Sequence, residues 1–296
     1  MSSKTISVKK VLVPTDFSDL SLAALDYAAH LARAEDAELL LLHVVESYPQ
    51  NTGLDFRFDF TEIIEKGIQQ KFQEIQQENT HLAGVRLRSQ VAIGKIHSEI
   101  DRVAAEEKVR LIVMGTQGVS GITNIGKFVI GSNAYRTIQN APCPIITLRQ
   151  RPKSFDVRRL LVPLDSTPES TQKIDVAIRW AKYFGAKIQL LAVTAFFEEL
   201  VVDVRDITRR VHEVERQLAD LGIEYEAHII RHQAPSESVL EFAEKTECDM
   251  IFIVTGQESA LSELLFGSSA RNIISESPVP VMSINIKKFD VAELEA

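Results

Sequence analysis

The 296-residue chain holds 2 cysteines and 1 tryptophan, and basic residues are outnumbered. Cys143 and Cys248 cannot build a disulfide framework, and without a Cys-x-x-Cys pair neither a thioredoxin-type motif nor a cysteine zinc site can be drawn. A formal net charge of −8 removes the electrostatic footprint of a general nucleic-acid binder. Long apolar runs are missing too. MSSKTISVKK lacks the apolar stretch of a signal peptide, and the longest apolar segments are strand-length, so no membrane span is expected. These absences lead to a cytoplasmic protein in a reducing compartment. With 45% apolar and 25% charged residues, the composition is that of a folded globular chain rather than a disordered one.

What is present is internal repetition. KVLVPTD at 10–16 returns as RLLVPLD at 159–165, each an apolar run closed by Pro-x-Asp. RLIVMGTQG at 110–118 is matched by DMIFIVTGQ at 249–257, and GSNAYRTI at 131–138 by GSSARNII at 267–274. The pairs occur in the same order, which identifies a duplication of two units rather than a solenoid. Each unit alternates strand and helix. In the first, strands are expected at 10–15, 38–45, 85–91, 111–114 and 144–148, with helices at about 20–34, 61–79, 98–107 and 132–140. In the second, strands at 159–164, 188–194, 224–231, 250–254 and 279–285 interleave with helices at 169–184, 200–221, 236–246 and 268–276. The run ELLLLHVV suits a strand buried on both faces. The expected fold class is therefore α/β: two tandem doubly wound domains, each a five-stranded, mainly parallel sheet flanked by helices. The domains are drawn at 1–150 and 158–288, with RQRPKSFDVR (149–158) as linker and 289–296 as tail.

Open parallel sheets bind ligands beyond the carboxyl ends of their strands. Pro14-Thr15-Asp16 closes the first strand, Met114-Gly115-Thr116-Gln117-Gly118 closes the fourth, and Gly131-Ser132-Asn133 opens a helix. Glycines admit a ligand close to the backbone, and a helix start offers N–H groups and partial positive charge to an anion. A strand-end Asp suits an adenine amino group or a ribose hydroxyl. Together they describe a nucleotide pocket with phosphates near Gly131. The plainer readings are that the glycines only serve turns, that Ser132 is a helix cap, and that Asp16 caps the helix after it.

VLVPTDFSDLS, LLHVV, VMGTQG and GSNA, with a closing strand after Ala-Pro, resemble the universal stress protein domain, in two tandem copies covering nearly the whole chain. ATP-binding members of that family carry Gly-x-x-Gly, nine residues, then Gly-Ser or Gly-Thr. Gly118 and Gly121, followed by Ile122–Ile130 and Gly131-Ser132, meet that spacing. The family's Met-Gly-Thr-x-Gly turn falls instead on Gly115–Gly118, which leaves three extra loop residues and either glycine pair open to the phosphates. The resemblance implies an ATP or related adenine-nucleotide ligand, with magnesium as an optional companion. It sets Asp16 on adenine beside Pro14 and Thr15, and Val44 on the base through its backbone. Met114 and Gly115 fall by the ribose, and Gly118, Gly121, Gly131, Ser132 and Asn133 on phosphates. Lys127 is read as a solvated loop lysine before a phosphate contact. The resemblance also implies that the closing strands near 144–148 and 279–285 pair, forming a pseudo-dimer within one chain, with a homodimer of chains as a further option.

The second copy departs from the motif. Gly256 is followed by Ser259 in place of the second glycine, only seven residues precede Gly267-Ser268, and Glu258 and Glu263 bring negative charge. Asp165, Gly256, Gly267 and Ser268 thus form a degenerate second site.

No catalytic set is expected. The chain lacks a GxxxxGK[ST] loop, a GxGxxG fingerprint, a Gly-x-Ser-x-Gly elbow and HExxH. It also lacks the His-x-Gly-His and Ser-Gly-Gly-x-Asp-Ser signatures of related transferases and pyrophosphatases. His228 and His232 lie on one strand, about 13 Å apart by its rise, too far for a shared metal. His43 and the two cysteines read as core, and Trp180 with Phe196-Phe197 as packing. A stress-response regulatory protein that binds nucleotide is the leading function, with at most slow ATP hydrolysis or self-phosphorylation at Ser132. The alternative is an interaction module with both pockets empty.

Overall fold

A computed structural model describes residues 10–46, 57–118, 130–165, 172–194, 201–231, 234–255 and 268–285. The described chain is an α/β protein built on one sheet of ten strands, ordered β3-β2-β1-β4-β5-β10-β9-β6-β7-β8. The first half contributes β1 (Lys10–Pro14), β2 (Glu38–Glu46), β3 (Arg86–Gly94), β4 (Leu111–Gly115) and β5 (Ile145–Leu148). The second contributes β6 (Arg159–Leu164), β7 (Lys187–Thr194), β8 (Tyr225–Arg231), β9 (Met250–Thr255) and β10 (Val281–Asn285). Pairing is parallel within each half, and β5 meets β10 antiparallel, with Met282 opposite Ile146.

Helices cover both faces: α1 (Asp19–Glu35), α2 (Arg57–Glu78), α3 (Ile96–Glu106), α4 (Ser132–Asn140), α5 (Gln172–Phe184), α6 (Val201–Asp220), α7 (Pro235–Lys245) and α8 (Ser268–Glu276). That two-sided cover is why β2 tolerates no alternation: Leu39 to Leu42 are all fully buried, alternately facing the two core clusters. The outer strands β3 and β8 expose every second residue or so, and charged Arg86, Arg88, Glu226 and Arg231 occupy them. Charge on the rim discourages further strand addition.

Most expected elements stand where periodicity set them, with shifted ends. β5 and β10 begin at Ile145 and Val281, after the prolines, because Pro144 and Pro280 have no N–H to give a ladder. α2 starts four residues earlier than expected, and a short 3-10 turn at Thr80–Leu82 had no sequence signal. The first turn expected for α5, at 169–171, lies outside the described residues, as does the tail. The segment between the halves is packed rather than loose. Phe155 sits edge-on to Tyr27 at 5.7 Å, Val157 is buried, and Arg151 pairs with the buried Asp26 at 2.7 Å.

Candidate functional site

In the first half the strand order runs outward in opposite directions from β1 and β4, so the crevice of this sheet opens at their carboxyl ends. Each strand is prolonged there by one backbone bond: Thr15 N–H donates to Leu42 O at 2.8 Å, and Thr116 N–H to Leu148 O at 2.8 Å. Gly131 N–H then donates to Thr116 O at 2.8 Å, which pins the start of α4 beside the end of β4. The helix begins with Gly131 as its N-cap residue and no side-chain cap, so its first turn faces the crevice with backbone N–H groups.

The turn after β1 is tightly wired. Asp16 Oδ1 accepts from both the Ser18 N–H at 3.1 Å and the Ser18 hydroxyl at 2.5 Å. Ser18, not Asp16, is the cap of α1, its hydroxyl accepting from Ser21 N–H at 3.3 Å. The capping role considered for Asp16 is thus corrected, because the chain needs two more residues to turn into the helix. Phe17 between them takes a left-handed conformation (φ 65°). Its N–H donates to Thr15 Oγ1 at 3.0 Å, and Thr15 Oγ1 lies 2.9 Å from the Ser21 hydroxyl.

These elements enclose a cavity of about 520 Å³. Of the first-half residues singled out from sequence, Pro14, Thr15, Asp16, Val44, Met114, Gly115, Gly118, Gly131, Ser132 and Asn133 all line it. Gly121 and Lys127 lie outside the described residues. Close approach constrains three of the lining glycines: a Cβ on Gly115 would stand 2.8 Å from Leu20 Cγ, and two more are crowded by polar groups. A Cβ on Gly118 would stand 2.3 Å from Asp16 Oδ2, and one on Gly131 would stand 3.2 Å from Thr116 O. The Gly118 pairing brings a carboxylate oxygen and a bare backbone together at one wall.

Sequence reasoning missed several lining groups, among them His43, Ile96 and Ile100. His43 is not a sealed core residue: it is half-buried and lines the cavity. Its Nδ1 donates to Thr15 O at 2.8 Å, which leaves Nε2 as the acceptor in the neutral ring. The Phe17 ring stacks on it at 4.6 Å and 20°. His43 stands at the centre of LLHVV, beside Val44, but only the pairing of β1 with β2 sets its ring against Thr15.

In the second half Asp165 follows β6 and Ser268 opens α8, as the repeat requires, while Gly256 and Gly267 lie outside the described residues. His228 rests against Phe242 at 4.9 Å, and His232 is outside the described residues. Among the described residues, no cluster of three or more metal-ligating side chains occurs. Trp180 packs on Phe184 and Phe252, and both cysteines are buried and unpaired. No described helix is long and apolar enough to cross a membrane.

The sequence matches the universal stress protein family over residues 7–149 and again over 156–285. Single-copy relatives align with about half of the chain. A universal stress protein of Methanocaldococcus jannaschii is 34% identical over 148 residues, covering 49% of this chain and 84% of its own. One from Bacillus subtilis is 34% identical over 150 residues, covering 47% and 98%. Among solved structures, a universal stress protein from Archaeoglobus fulgidus superposes with a TM-score of 0.74 at 20% identity, over 94% of this chain and 98% of its own, a likeness of fold. Two consecutive matches to one family, laid over two five-stranded halves in the same strand order, make this chain a tandem member of the universal stress protein family.

Proposed function

We propose that the first half binds an adenine nucleotide, ATP or a close relative, and that the protein acts as a nucleotide-responsive regulator rather than as an enzyme. One observation carries the reading: ten residues chosen from sequence motifs converge on a single cavity at the strand-order reversal. Asp16 has an oxygen turned toward Gly118 and would accept from the amino group of the base. Val44, on β2, would offer backbone to the base edge, with Met114 and Gly115 along the ribose. The uncapped first turn of α4, with Ser132 and Asn133, would take phosphate oxygens on its N–H groups. The chemistry of the walls fits such a ligand, since Ile96, Ile100 and Met114 supply an apolar face and the strand ends supply the polar one.

Catalysis has less support. Phosphoryl transfer needs a placed base and a cation on the transferring group. Among the described lining residues neither an arginine nor a lysine is present. The second half is read as a degenerate copy for adenine nucleotides. The antiparallel β5–β10 pair is read as an internal version of a two-domain assembly, and the two units as 1–150 and 158–288. Two buried, unpaired thiols agree with work in the reducing cytoplasm.

The test is the nucleotide content of the untreated protein, measured as adenine nucleotide released on denaturation, followed by titration with ATP. One nucleotide per chain, abolished by Asp16→Ala or Gly131→Val with the fold retained, is the expected result. Unchanged affinity in both variants would sink the assignment.

A further inference from the structure

The ladder between β1 and β2 stops at the mouth of the first cavity, and two side chains stop it. Its register runs from Lys10 opposite Glu38 to Pro14 opposite Leu42, and its last bond carries Thr15 N–H to Leu42 O at 2.8 Å. In a parallel pair, every second residue of a strand gives both its N–H and its C=O to the same neighbour. Leu42 does so toward β1, so Val44 is next. Its rungs would be Val44 N–H to Thr15 O and Phe17 N–H to Val44 O. Neither bond forms. Thr15 O accepts instead from His43 Nδ1 at 2.8 Å, and Phe17 N–H donates to Thr15 Oγ1 at 3.0 Å. The stack on Phe17, at 4.6 Å, holds the imidazole in place for this. Val44 is half-buried and lines the cavity, so its peptide N–H and C=O are left on the crevice side without a rung. The second half supplies the comparison. Leu164 stands where the first half has Thr15, and Ala192 where it has His43. With neither diverting side chain present, the β6–β7 register runs one pair further, to Leu164 opposite Ala192.

We propose that His43 and Thr15 are positioning residues that set the base specificity of the first cavity. By diverting both rungs they leave the Val44 N–H and C=O free for an amino group beside an unprotonated ring nitrogen, the edge that adenine presents. Guanine carries a carbonyl and a ring N–H at those places, so donor would meet donor and acceptor would meet acceptor. Groups buried in that mismatch stay unpaired, which is costly. Neither His43 nor Thr15 has to touch the base through its side chain, since both act through the peptide groups of Val44. This role rests on the adenine-nucleotide reading of the cavity and adds the groups that select the base.

Residue-resolved amide hydrogen exchange on the full chain tests the freed rung, and titrations with ATP and GTP test its use. In the ligand-free chain the Val44 amide is expected to exchange at least about tenfold faster than that of Val193, its counterpart in the longer ladder, and to slow once ATP is added. His43→Phe keeps a ring against Phe17 but has no donor, so Val44 N–H can close on Thr15 O. That variant should protect the Val44 amide without ligand, lose about tenfold in ATP affinity and narrow the preference for ATP over GTP. His43→Asn, which places an amide N–H near the position of Nδ1, should recover most of that loss, a rescue that a space-filling role would not give. Thr15→Val removes the acceptor of Phe17 N–H and should shift the preference in the same direction, which keeps the test intact should His43→Phe fail to fold. Equal exchange at Val44 and Val193 in the ligand-free chain overturns the proposal, as does an unaltered ATP-over-GTP preference in the folded variants. Failure of the nucleotide reading shows separately, as a parent chain that binds no ATP, and the base-selecting role then falls with it.

Discussion

Asp16 and Gly118 face each other across the first cavity, and their separation is set by the lack of a side chain at 118. With 2.3 Å between a Cβ there and Asp16 Oδ2, an alanine must push the carboxylate aside. The carboxylate is not free to yield, since its other oxygen holds both the N–H and the hydroxyl of Ser18. Gly118→Ala is therefore expected to cost about tenfold in adenine-nucleotide affinity, ~1.4 kcal/mol, by displacing the base acceptor. Thermal stability should fall as well, because moving the carboxylate strains its bonds to Ser18, although Gly118 has no left-handed backbone to lose. Equilibrium dialysis with ATP, set beside a melting curve, checks both halves of that statement. Phe17 marks the opposite choice, a left-handed residue with a large side chain at a cost of about 1–3 kcal/mol. Its stacking on His43 and edge contact with Phe72 at 5.7 Å offset that strain. Asp16 and the glycines were legible in the sequence because a motif is local. The role of His43 was not, although it stands inside LLHVV, since its contact with Thr15 O arises only when β2 is laid beside β1.

The elements themselves are held in register at their far ends by charge. Lys10 at the start of β1 donates to Glu107 at 2.7 Å, Arg88 of β3 pairs with the same carboxylate at 2.7 Å, and Arg88 also reaches Glu38 of β2 at 3.2 Å. Glu107 is the C-cap residue of α3, so its carboxylate ties β1, β3 and a helix end at the rim opposite the cavity, and Arg88 extends the link to β2 through Glu38. The hydrogen bonds from Arg88, then those from Lys10, hold its carboxyl down to about 2. That folded value lies below the ~4.3 of an unfolded glutamate, so the contribution is complete above pH ~4.3 and fades as pH falls toward 2. Glu107→Gln should cost under ~1 kcal/mol at pH 7, as expected of a solvent-screened network, and the gap to the parent chain should narrow below pH ~4.3 and close only as pH falls through about 2. Urea titrations at the two pH values measure it, and a gap that persists in acid would count against the network. Strand-and-helix alternation told where these elements lie, since apolar runs such as Leu39–Leu42 are short and bounded. Their cross-links were illegible, because Lys10 and Glu107 are far apart in sequence and meet only through β1–β4 pairing.

For the whole molecule, the decisive contact is a single pair of strands. β5 is buried along its whole length, and beyond it lies β10, with Met282 against Ile146 and Ser283 against Ile145. Side chains reinforce the seam from both sides. Asn285 Nδ2 donates to Gln139 O at 2.7 Å, Arg149 to Glu276 O at 2.7 Å, and Gln150 to Pro278 O at 3.1 Å. The duplication announced that two similar sheets exist, and the family resemblance implied that their closing strands meet. The sequence alone carries no marker of that pairing, since Ile145-Ile146-Thr147-Leu148 would read the same in a strand facing any partner. Charged strands β3 and β8 occupy the two outer rims, so apolar β5 and β10 are the edges that must not be left open. A fragment of residues 1–150 would bare β5 with its row of N–H and C=O groups. Such a fragment should therefore self-associate, seen as a mass near twice that of the fragment by sedimentation equilibrium. Ile146→Lys in the fragment should abolish the dimer together with the fold, because Ile146 is fully buried in the core cluster it shares with α1 and an ammonium there could not be hydrated. In the full chain the same change should lower the melting temperature by destabilising the seam between the halves. A fragment that stays monomeric with Ile146 intact would mean that β5 is protected by something other than β10.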